Sequence, residues 1–183
     1  MTKSVLYGLP FILCLLGLEI FYMSSSMRIP EATGTAFDSL LKVVRREGDK
    51  KMPMNTLEAT VSTFDGVFEK FTSESPKHKA NFIVFLADKD PSTNLSWCPD
   101  CVRAEPVIYK KLESSQDDVA LLKAYVGDRP TWRNPQHPWR IDSIFKLKGV
   151  PTLVRWENGA IKGRLEDHEA HLEHKIDALL SGK

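Results

Sequence analysis

Several features are scarce in this 183-residue sequence, and each scarcity excludes a class of protein. Three cysteines are too few for the disulfide framework that holds many small secreted domains together. Neither sign of charge is in excess, because 25 lysines and arginines stand against 24 aspartates and glutamates. This balance gives no overall field that would attract nucleic acid, and we expect no nucleic-acid partner. Internal repeats and low-complexity segments are absent, and the length suits one packed domain with an appendage.

A hydrophobic run of clear membrane-spanning length is also missing. The most apolar segment, VLYGLPFILCLLGLEIFYM at residues 5–23, is interrupted by Pro10 and Glu19. Its uncharged stretch is about 15 residues, whereas a membrane span needs roughly 20, so it is closer to the apolar region of a signal peptide. We interpret residues 1–26 as a hydrophobic segment that is signal-like, anchor-like or not expressed. Contact with a membrane is expected only if residues 5–23 are retained as an anchor.

Residues 27–54 are predicted to be a linker, because prolines and glycines recur through them. They include one helix-like patch, FDSLLKVVRREG at residues 37–48, whose apolar residues have roughly helical spacing. From residue 55 to residue 183 the pattern becomes regular, and we assign this range to one folded domain.

Within the folded domain, apolar runs of strand length alternate with helix-like segments. ANFIVFLA at residues 80–87 is typical of a strand buried on both faces of a sheet. A hydroxyl cap at Ser62-Thr63 marks a helix start, and Asn158-Gly159 predicts a hairpin turn. Further strands are predicted at 57–61, 119–126, 152–156 and 160–166, and further helices at 98–114, 141–148 and 168–180. This order predicts an α/β fold with a central mixed sheet flanked by helices on both faces.

The stretch SWCPDC at residues 96–101 places two of the three cysteines at the start of a predicted helix. At this spacing both sulfurs lie on the same side of the first turn, within reach of a disulfide. Cys98 is the expected nucleophile, because a helix N-terminus stabilises a thiolate and lowers its pKa. Cys101 is the expected resolving cysteine, which attacks the mixed disulfide and releases the reduced substrate.

Four neighbouring residues are candidates for tuning or docking. Pro99 suits an early helix position, because its missing N–H has no intrahelical partner there. Asp100 adds a negative charge that opposes formation of the Cys98 thiolate. Trp97 either shields the cysteine pair or meets the substrate. Pro151 comes just before a predicted strand, where it cannot donate to the ladder, and we predict a cis peptide bond there beside the cysteines.

The residues leave two other readings of the cysteine pair open. A structural disulfide is disfavoured, because a bridge across one helical turn removes little entropy from the unfolded chain. A zinc site is the second alternative, and histidines would have to complete it, since the sequence has no second CxxC. His168, His171 and His174 would share one face of the predicted helix, but the acidic residues around them favour a solvated surface.

Longer blocks of the sequence resemble a known family. WCPDC followed by VRAEPVIYKKLE, then AYVGDRPTWRNPQHPWR, FKLKGVPTLVRWENG and GRLEDHEAH, together resemble the thioredoxin-like Clot family, over about residues 57–181. The resemblance implies a thioredoxin fold and a thiol–disulfide oxidoreductase that acts as a protein-disulfide reductase. It implies Cys98 as nucleophile, Cys101 as resolving cysteine, Pro99 and Asp100 as tuning residues, and Pro151 as the cis-proline.

The same resemblance implies an electron source and a location. It predicts a cytosolic monomer with no bound cofactor, to which thioredoxin reductase passes electrons from NADPH. The expected partners are thioredoxin reductase and disulfide-containing proteins or small molecules. Residues 1–53 lie outside the resemblance, as an extension, an alternative start or a gene-model artefact. If residues 1–26 are a signal, the alternative is a lumenal disulfide oxidase or isomerase, and Asn94-Leu95-Ser96 would then be open to glycosylation.

Two features depart from ordinary thioredoxins. The strand before the cysteines reads IVFLA and offers only apolar residues where thioredoxins keep a buried acid. Another group must therefore move protons in the second half of the reaction. The loop 88–96 and the segment 128–140, with its arginines, tryptophans and His137, are longer than a minimal thioredoxin needs. We expect both to flank the cysteines and to restrict the docking surface.

Overall fold

The structure is a computed structural model that describes residues 53–182, so the predicted hydrophobic segment and almost all of the predicted linker lie outside the described residues. No helix within residues 53–182 is long and apolar enough to cross a membrane. The β-strands and α-helices are, in order, β1 (Asn55–Thr60), α1 (Phe64–Glu74), β2 (Ala80–Leu86), α2 (Pro99–Ser114), β3 (Val119–Tyr125), α3 (Arg129–Arg133), α4 (Pro138–Ile141), β4 (Thr152–Glu157), β5 (Ala160–Glu166) and α5 (Glu173–Leu180). A short 3-10 helix, Ser75–Lys77, follows α1.

The five strands form one mixed sheet in the order β1-β3-β2-β4-β5. β1 and β2 both run parallel to β3, whereas β4 is antiparallel to β2 and β5 is antiparallel to β4. β2 lies at the centre, and all 7 of its residues are buried. A strand that is covered on both faces needs such a continuous apolar run. The mixed sheet predicted from the element order is therefore confirmed.

Helices cover both faces of the sheet. Successive residues of a strand point to opposite faces, so Arg155 and Trp156 of β4 mark its two sides. Arg155 donates from Nη1 to the carbonyl oxygen of Leu179 in α5 at 2.7 Å, and α5 packs against α2. Trp156 contacts Phe68 of α1 edge-on, with the ring centroids 5.2 Å apart. α2 and α5 thus lie on one face of the sheet and α1 lies on the other.

The face that α1 covers contains an aromatic cluster. Edge-to-face contacts of this kind add to the burial energy of the rings. Phe64 of α1 lies 4.8 Å from Trp139 of α4 and 5.6 Å from Phe145, measured between ring centroids. Phe85 of β2 contacts the same two rings at 5.2 Å and 5.0 Å. The cluster therefore fastens the connection between β3 and β4 to the centre of the sheet.

The helix predicted at residues 141–148 is wrong. α4 ends at Ile141, residues 143–145 form a turn, and residues 146–148 have no regular secondary structure. The Asp142 carboxylate accepts hydrogen bonds from the backbone N–H groups of Ile144 and Phe145, both at 2.7 Å, and so offers the backbone an alternative to a helix. Phe145 and Leu147 are buried, whereas Ile141 and Ile144 are exposed, so the buried residues of this stretch do not follow helical spacing.

The closing helix was predicted from residue 168 but begins at Glu173. Residues 167–171 form turns instead. Asp167 has a φ of 21°, which is outside the helical range, and its N–H donates to the carbonyl oxygen of Pro151 at 2.7 Å. The link to the Pro151 loop holds this segment out of the helix.

The predicted hydroxyl cap of α1 is also wrong. Thr63 occupies the N-cap position, but its side chain makes no capping hydrogen bond to the helix. Its hydroxyl oxygen instead accepts from the backbone N–H of Thr60 at 2.9 Å. The Thr60 and Ser62 hydroxyl oxygens are 3.0 Å apart. The hydroxyl groups of this segment therefore close the turn between β1 and α1.

Candidate active site

Cys98 and Cys101 lie at the start of α2, on the loop that leaves the central strand. Cys98 is the N-cap residue and Cys101 belongs to the first turn. Both are free thiols. Cys98 is 7% exposed and Cys101 is 0% exposed. Cys98 is therefore the outer thiol and Cys101 the inner one. This is the direction predicted for an attacking cysteine and a resolving cysteine.

The surroundings of Cys98 favour its thiolate. Its pKa is lowered to about 6, and the largest cause is the hydrogen bond from the Cys101 thiol. Burial acts in the opposite direction, whereas the backbone N–H groups of Cys101 and Asp100 lower the pKa further. The negative charge of Asp100 raises it slightly. At neutral pH Cys98 is therefore a thiolate, the form that attacks disulfides.

Cys101 has the opposite setting. Its pKa is raised by the hydrogen bond to Cys98, by burial and by the negative charges of Cys98 and Glu105. The backbone N–H of Ala87 donates to its Sγ at 3.4 Å and counters this in part. Cys101 is therefore a protonated thiol at neutral pH. It stabilises the Cys98 thiolate and must lose its own proton before it can act as a nucleophile.

The two residues between the cysteines occupy the first turn of the helix. Pro99 is the first residue of α2 and is exposed. Its missing N–H removes no helical hydrogen bond at that position. Asp100 is half-buried and forms an ion pair with Arg103, three residues further along the helix. The Asp100 charge that opposes the Cys98 thiolate is thus partly balanced by an arginine.

Pro151 lies against the cysteine turn. The Val150-Pro151 peptide bond is cis, and Pro151 is buried immediately before β4. The carbonyl oxygen of Val150 is 3.4 Å from Sγ of Cys98, and it accepts the thiol hydrogen when Cys98 is protonated. The structure therefore brings a loop from the far end of the sequence into contact with the outer cysteine.

Trp97 is held in place by groups from the end of β3. Its Nε1–H donates to the carbonyl oxygen of Gly127 at 3.0 Å. The guanidinium of Arg129 lies over the ring, 5.6 Å from its centroid. Asp88 joins the two sides, because its Oδ1 accepts from the Gly127 N–H at 2.8 Å and its carbonyl oxygen accepts from the Trp97 N–H at 3.3 Å. These contacts hold the Trp97 ring in one position next to Cys98.

The segment 128–140 is only partly what the sequence predicted. Trp132, His137 and Trp139 are buried in the core and do not form a docking surface. His137 hydrogen-bonds through Nε2 to the carbonyl oxygen of Val126 at 3.0 Å, and burial lowers its pKa. Arg129 is the member of this segment that reaches the cysteine turn, through its contact with Trp97.

The loop 88–96 lies beside the cysteine turn, as predicted. It folds back on itself, because Lys89 and Ser96 form an antiparallel bridge and Asp90 donates its N–H to the carbonyl oxygen of Leu95 at 2.8 Å. The Ser96 hydroxyl accepts from the Cys98 N–H at 3.3 Å. Leu95 is 58% exposed, which leaves an apolar side chain available on this loop.

The histidines do not meet the requirement of the zinc reading. His168 and His171 lie in the turns before α5, whereas His174 lies within α5, so they do not share a helix face. Among residues 53–182, no three histidine, cysteine, aspartate or glutamate side chains come together as a metal-binding group.

Sequence reasoning missed three residues at this site: Asp88, Glu105 and Gly127. Asp88 and Gly127 fasten Trp97, and Glu105 acts on Cys101 from the next turn of α2. Gly127 gave a usable signal, because a glycine directly after a buried strand often has a positive φ, and its φ is 90°. Asp88 gave none, since its partner Gly127 is distant in the sequence, and Glu105 gave none, because its shielding depends on Lys89 from another element.

A dithiol at the start of a helix, a mixed sheet and a cis-proline in contact with the outer thiol define a thioredoxin-like protein with a redox role. Comparison with known proteins agrees. Residues 60–182 match the family described as "Thioredoxin domain-containing protein 17-like, thioredoxin domain". The chain belongs to this family of thioredoxin-like Clot proteins, and the predicted thioredoxin fold is confirmed.

Three curated relatives show the extent of the similarity. "Thioredoxin-like protein Clot" of Arabidopsis thaliana is 59% identical over 131 residues, which cover 71% of this chain and 98% of the relative. The protein of the same name from Oryza sativa subsp. japonica is 52% identical, over 71% of this chain and 98% of the relative. "Thioredoxin domain-containing protein 17" of Mus musculus is 37% identical, over 52% of this chain and 80% of the relative.

Proposed function

We propose that this protein is a protein-disulfide reductase that works through Cys98 and Cys101. The observation that carries the proposal is the contrast between the two thiols. The pKa of Cys98 is lowered while that of Cys101 is raised, and Cys101 is the more deeply buried. A reductase needs one sulfur ready to attack and a second that stays protonated until the first has reacted.

The reaction has two exchange steps. In the first, the Cys98 thiolate attacks one sulfur of the substrate disulfide, and the other sulfur leaves as a thiolate that takes a proton from solvent. In the second, Cys101 loses its proton and attacks Sγ of Cys98. The mixed disulfide breaks, a Cys98–Cys101 disulfide forms, and the second substrate sulfur leaves. Two electrons pass from the dithiol to the substrate.

Thioredoxin reductase, using NADPH, is the proposed source of electrons that returns the Cys98–Cys101 disulfide to the dithiol. Membership of a thioredoxin-like family supports this source. The dithiol carries both electrons itself, so the reaction requires no bound cofactor. We further propose that the protein acts as a monomer in the cytosol on disulfides of proteins or small molecules. The fixed ring of Trp97 and the folded loop 88–96 would limit which disulfides reach Cys98.

The test is NADPH consumption by the purified full chain, supplied with thioredoxin reductase and with cystine or insulin as oxidant. We expect turnover that disappears when Cys98 is replaced by serine. The relative rates on the two oxidants would show how strongly Trp97 and the loop 88–96 select among substrates. A reduced, folded protein that supports no NADPH consumption would contradict the proposed electron source. Zinc found in that same sample by a metal assay would contradict the reductase itself.

A further inference from the structure

The second step of the proposed reaction needs a proton acceptor that the reading of the sequence did not identify. Cys101 is fully buried and its thiol is protonated at neutral pH, so solvent alone does not remove the proton readily. The neighbouring strand β2 has the sequence ANFIVFL and carries no acid or base. The acceptor must therefore come from another element near Cys101.

Glu105 is a carboxylate that lies one helical turn from Cys101. It follows Cys101 by four residues on α2, and side chains at that spacing are neighbours on a helix surface, with Cβ atoms about 5–6 Å apart. Its side chain is only 12% exposed. Its negative charge acts on the Cys101 thiol. A charged carboxylate is rarely shielded to this degree unless it is paired or has a function.

Two neighbours fix the Glu105 carboxylate. Lys89 donates from Nζ to Oε1 at 2.9 Å, and the hydroxyl of Tyr109 donates to the same oxygen at 2.9 Å. The hydrogen bonds that Glu105 receives from side chains within residues 53–182 both end on Oε1. The second oxygen, Oε2, is left to accept another proton.

The other charged and titratable groups around this carboxylate come from four elements. Cys101 and Tyr109 lie with it on α2, Cys98 is the N-cap residue of that helix, and Asp88 and Lys89 lie on the loop after β2. Lys123 and Tyr125 belong to β3, and Glu58 belongs to β1. Lys123 is paired with Glu58 at 3.3 Å and lies over the Tyr109 ring, 4.3 Å from its centroid. Burial raises the pKa of Tyr109 and of Tyr125, the latter to about 12, so neither tyrosine takes up a proton at neutral pH.

We propose that the Glu105 carboxylate accepts the proton of the Cys101 thiol as Cys101 attacks the mixed disulfide, an inference that rests on the reductase function proposed above. The S–H bond of Cys101 breaks and its proton passes to Glu105. The Cys98–Cys101 bond forms as the bond between Cys98 and the substrate breaks. The electron pair of the broken bond leaves on the substrate sulfur, and Glu105 returns its proton to that thiolate or to solvent.

The proton also has a route to solvent. A cavity of about 440 Å³ lies beside the Glu105 pair and is lined by Glu58, Thr60, Asp88, Lys89, Asn94 and Tyr125. Lys89 both lines this cavity and hydrogen-bonds to Glu105. Lys89 therefore connects the Glu105 carboxylate, itself 12% exposed, to a solvent-accessible space.

The test separates the two exchange steps in a single turnover. The reduced full chain, with Cys14 replaced by serine so that Cys98 and Cys101 are its two thiols, is mixed with excess 5,5′-dithiobis(2-nitrobenzoate), and the absorbance of the released thionitrobenzoate is followed by stopped flow. Attack by Cys98 releases the first equivalent, and attack by Cys101 on the mixed disulfide releases the second. In Glu105→Gln we expect an unchanged first phase and a second phase slowed by about 100-fold, the order of magnitude of a lost proton acceptor.

The pH dependence distinguishes proton transfer from a structural effect. In Glu105→Gln the second phase should rise in proportion to hydroxide concentration, because hydroxide then becomes the acceptor. In the unaltered protein it should depend less steeply on pH. Glu105→Asp keeps the carboxylate and should restore part of the rate. Glu113→Gln, at an exposed position of the same helix, is the matched control and should leave both phases unchanged.

Each outcome decides between the proposals. An unchanged second phase in Glu105→Gln overturns the assignment of Glu105 alone. A second phase that is slowed equally at every pH, or slowed equally in Glu113→Gln, also overturns it, because the effect is then structural. Loss of the first phase in the unaltered protein overturns the role of Cys98 and both proposals with it.

Discussion

At the scale of single residues, the proposed function depends on which of the two sulfurs, Cys98 or Cys101, carries the proton. Cys101 donates a hydrogen bond to Cys98 and thereby holds the outer sulfur as a thiolate. The same hydrogen bond, together with burial, keeps the proton on the inner sulfur. One hydrogen bond therefore both lowers the pKa of Cys98 and raises the pKa of Cys101.

The lowered pKa of Cys98 predicts the pH dependence of its alkylation. The thiolate is the reactive form, and the pKa is about 6, below the ordinary value of 9.0. The rate with iodoacetamide should therefore be constant at neutral pH and should fall as the pH drops through about 6. Mass spectrometry of quenched samples of the reduced full chain measures this rate. A midpoint near the ordinary thiol value would contradict the prediction, and Cys98→Ser should abolish modification in the acidic range.

The two cysteines should give different products when each is replaced by serine. Cys98→Ser removes the attacking sulfur and should abolish turnover of a disulfide substrate. Cys101→Ser leaves the first attack intact but removes the second, so a mixed disulfide with the substrate should accumulate. Non-reducing mass spectrometry after addition of cystine detects this adduct as an added mass on Cys98. Sustained multiple turnover in either variant would contradict the assigned roles.

The proposed roles of these cysteines could be predicted from the sequence, because they depend on local geometry. The spacing of Cys98 and Cys101 and their place at a helix start can both be read from adjacent residues. Glu105 was missed, although it is close in sequence, because its importance comes from shielding by Lys89 and Tyr109 and from the absence of any acid in β2. That combination appears only when the strand, the helix and the loop are packed together.

At the scale of elements, the loop after β3 must bring Gly127 into contact with Asp88 and Trp97. Gly127 has a φ of 90°, and a Cβ added there would lie 2.9 Å from Cγ2 of Thr131. Gly66, in α1, differs because it is exposed and has nothing within 4 Å of an added Cβ. The two glycines therefore form a matched pair for one substitution.

Replacement of each glycine by alanine should change stability in opposite directions. Gly127→Ala combines backbone strain with a steric clash and should lower the free energy of unfolding by about 1–3 kcal/mol. Gly66→Ala removes freedom from the unfolded chain at a helical position and should raise it by about 0.4–1 kcal/mol. Urea unfolding of the full chain, followed by circular dichroism, measures both changes. Equal stability of Gly127→Ala and the unaltered protein would show that the loop tolerates a side chain there.

Secondary structure was predicted correctly where one local sequence pattern determined it. It was predicted wrongly where side-chain hydrogen bonds or tertiary contacts opposed that pattern. The hairpin turn is confirmed, because Asn158 and Gly159 have φ values of 51° and 75°, and its return strand spans residues 160–166 as predicted. The predicted helix at 141–148 failed, because the Asp142 carboxylate holds the backbone in a turn and the buried side chains, Phe145 and Leu147, are two residues apart. The aromatic contacts that bury Phe145 come from α1 and β2, and local sequence does not reveal them.

At the scale of the whole molecule, the sheet brings three distant segments together around Cys98. The cysteine turn follows the central strand β2, the Gly127 loop follows its neighbour β3, and the Pro151 loop precedes β4 on the other side of β2. All three loops therefore meet at the end of the sheet where β2 and β3 finish and β4 begins. The residues of the candidate site lie within residues 53–182. The cellular compartment in which they act is a separate question.

The sequon Asn94-Leu95-Ser96 offers a decisive test of the proposed cytosolic location. Asn94 is exposed on the loop beside the cysteine turn, so an oligosaccharyltransferase would meet an accessible side chain. N-glycosylation occurs in the secretory pathway. We therefore expect no glycosidase-sensitive mass shift on the natural protein. The same chain directed to the secretory lumen by a cleavable signal peptide should gain one, and Asn94→Gln in that chain should lose it.

These controls make either outcome on the natural protein informative. A glycosidase-sensitive shift would place the domain in the lumen, where the Cys98–Cys101 pair would serve disulfide oxidation or isomerisation. The absence of a shift, alongside a clear shift in the lumen-directed control, would show that the domain does not enter the lumen. The lowered pKa of Cys98 suits either direction of exchange, since it stabilises the sulfur both as attacking and as leaving group. Under this proposal, the cellular compartment selects between reduction and oxidation by the same pair of cysteines.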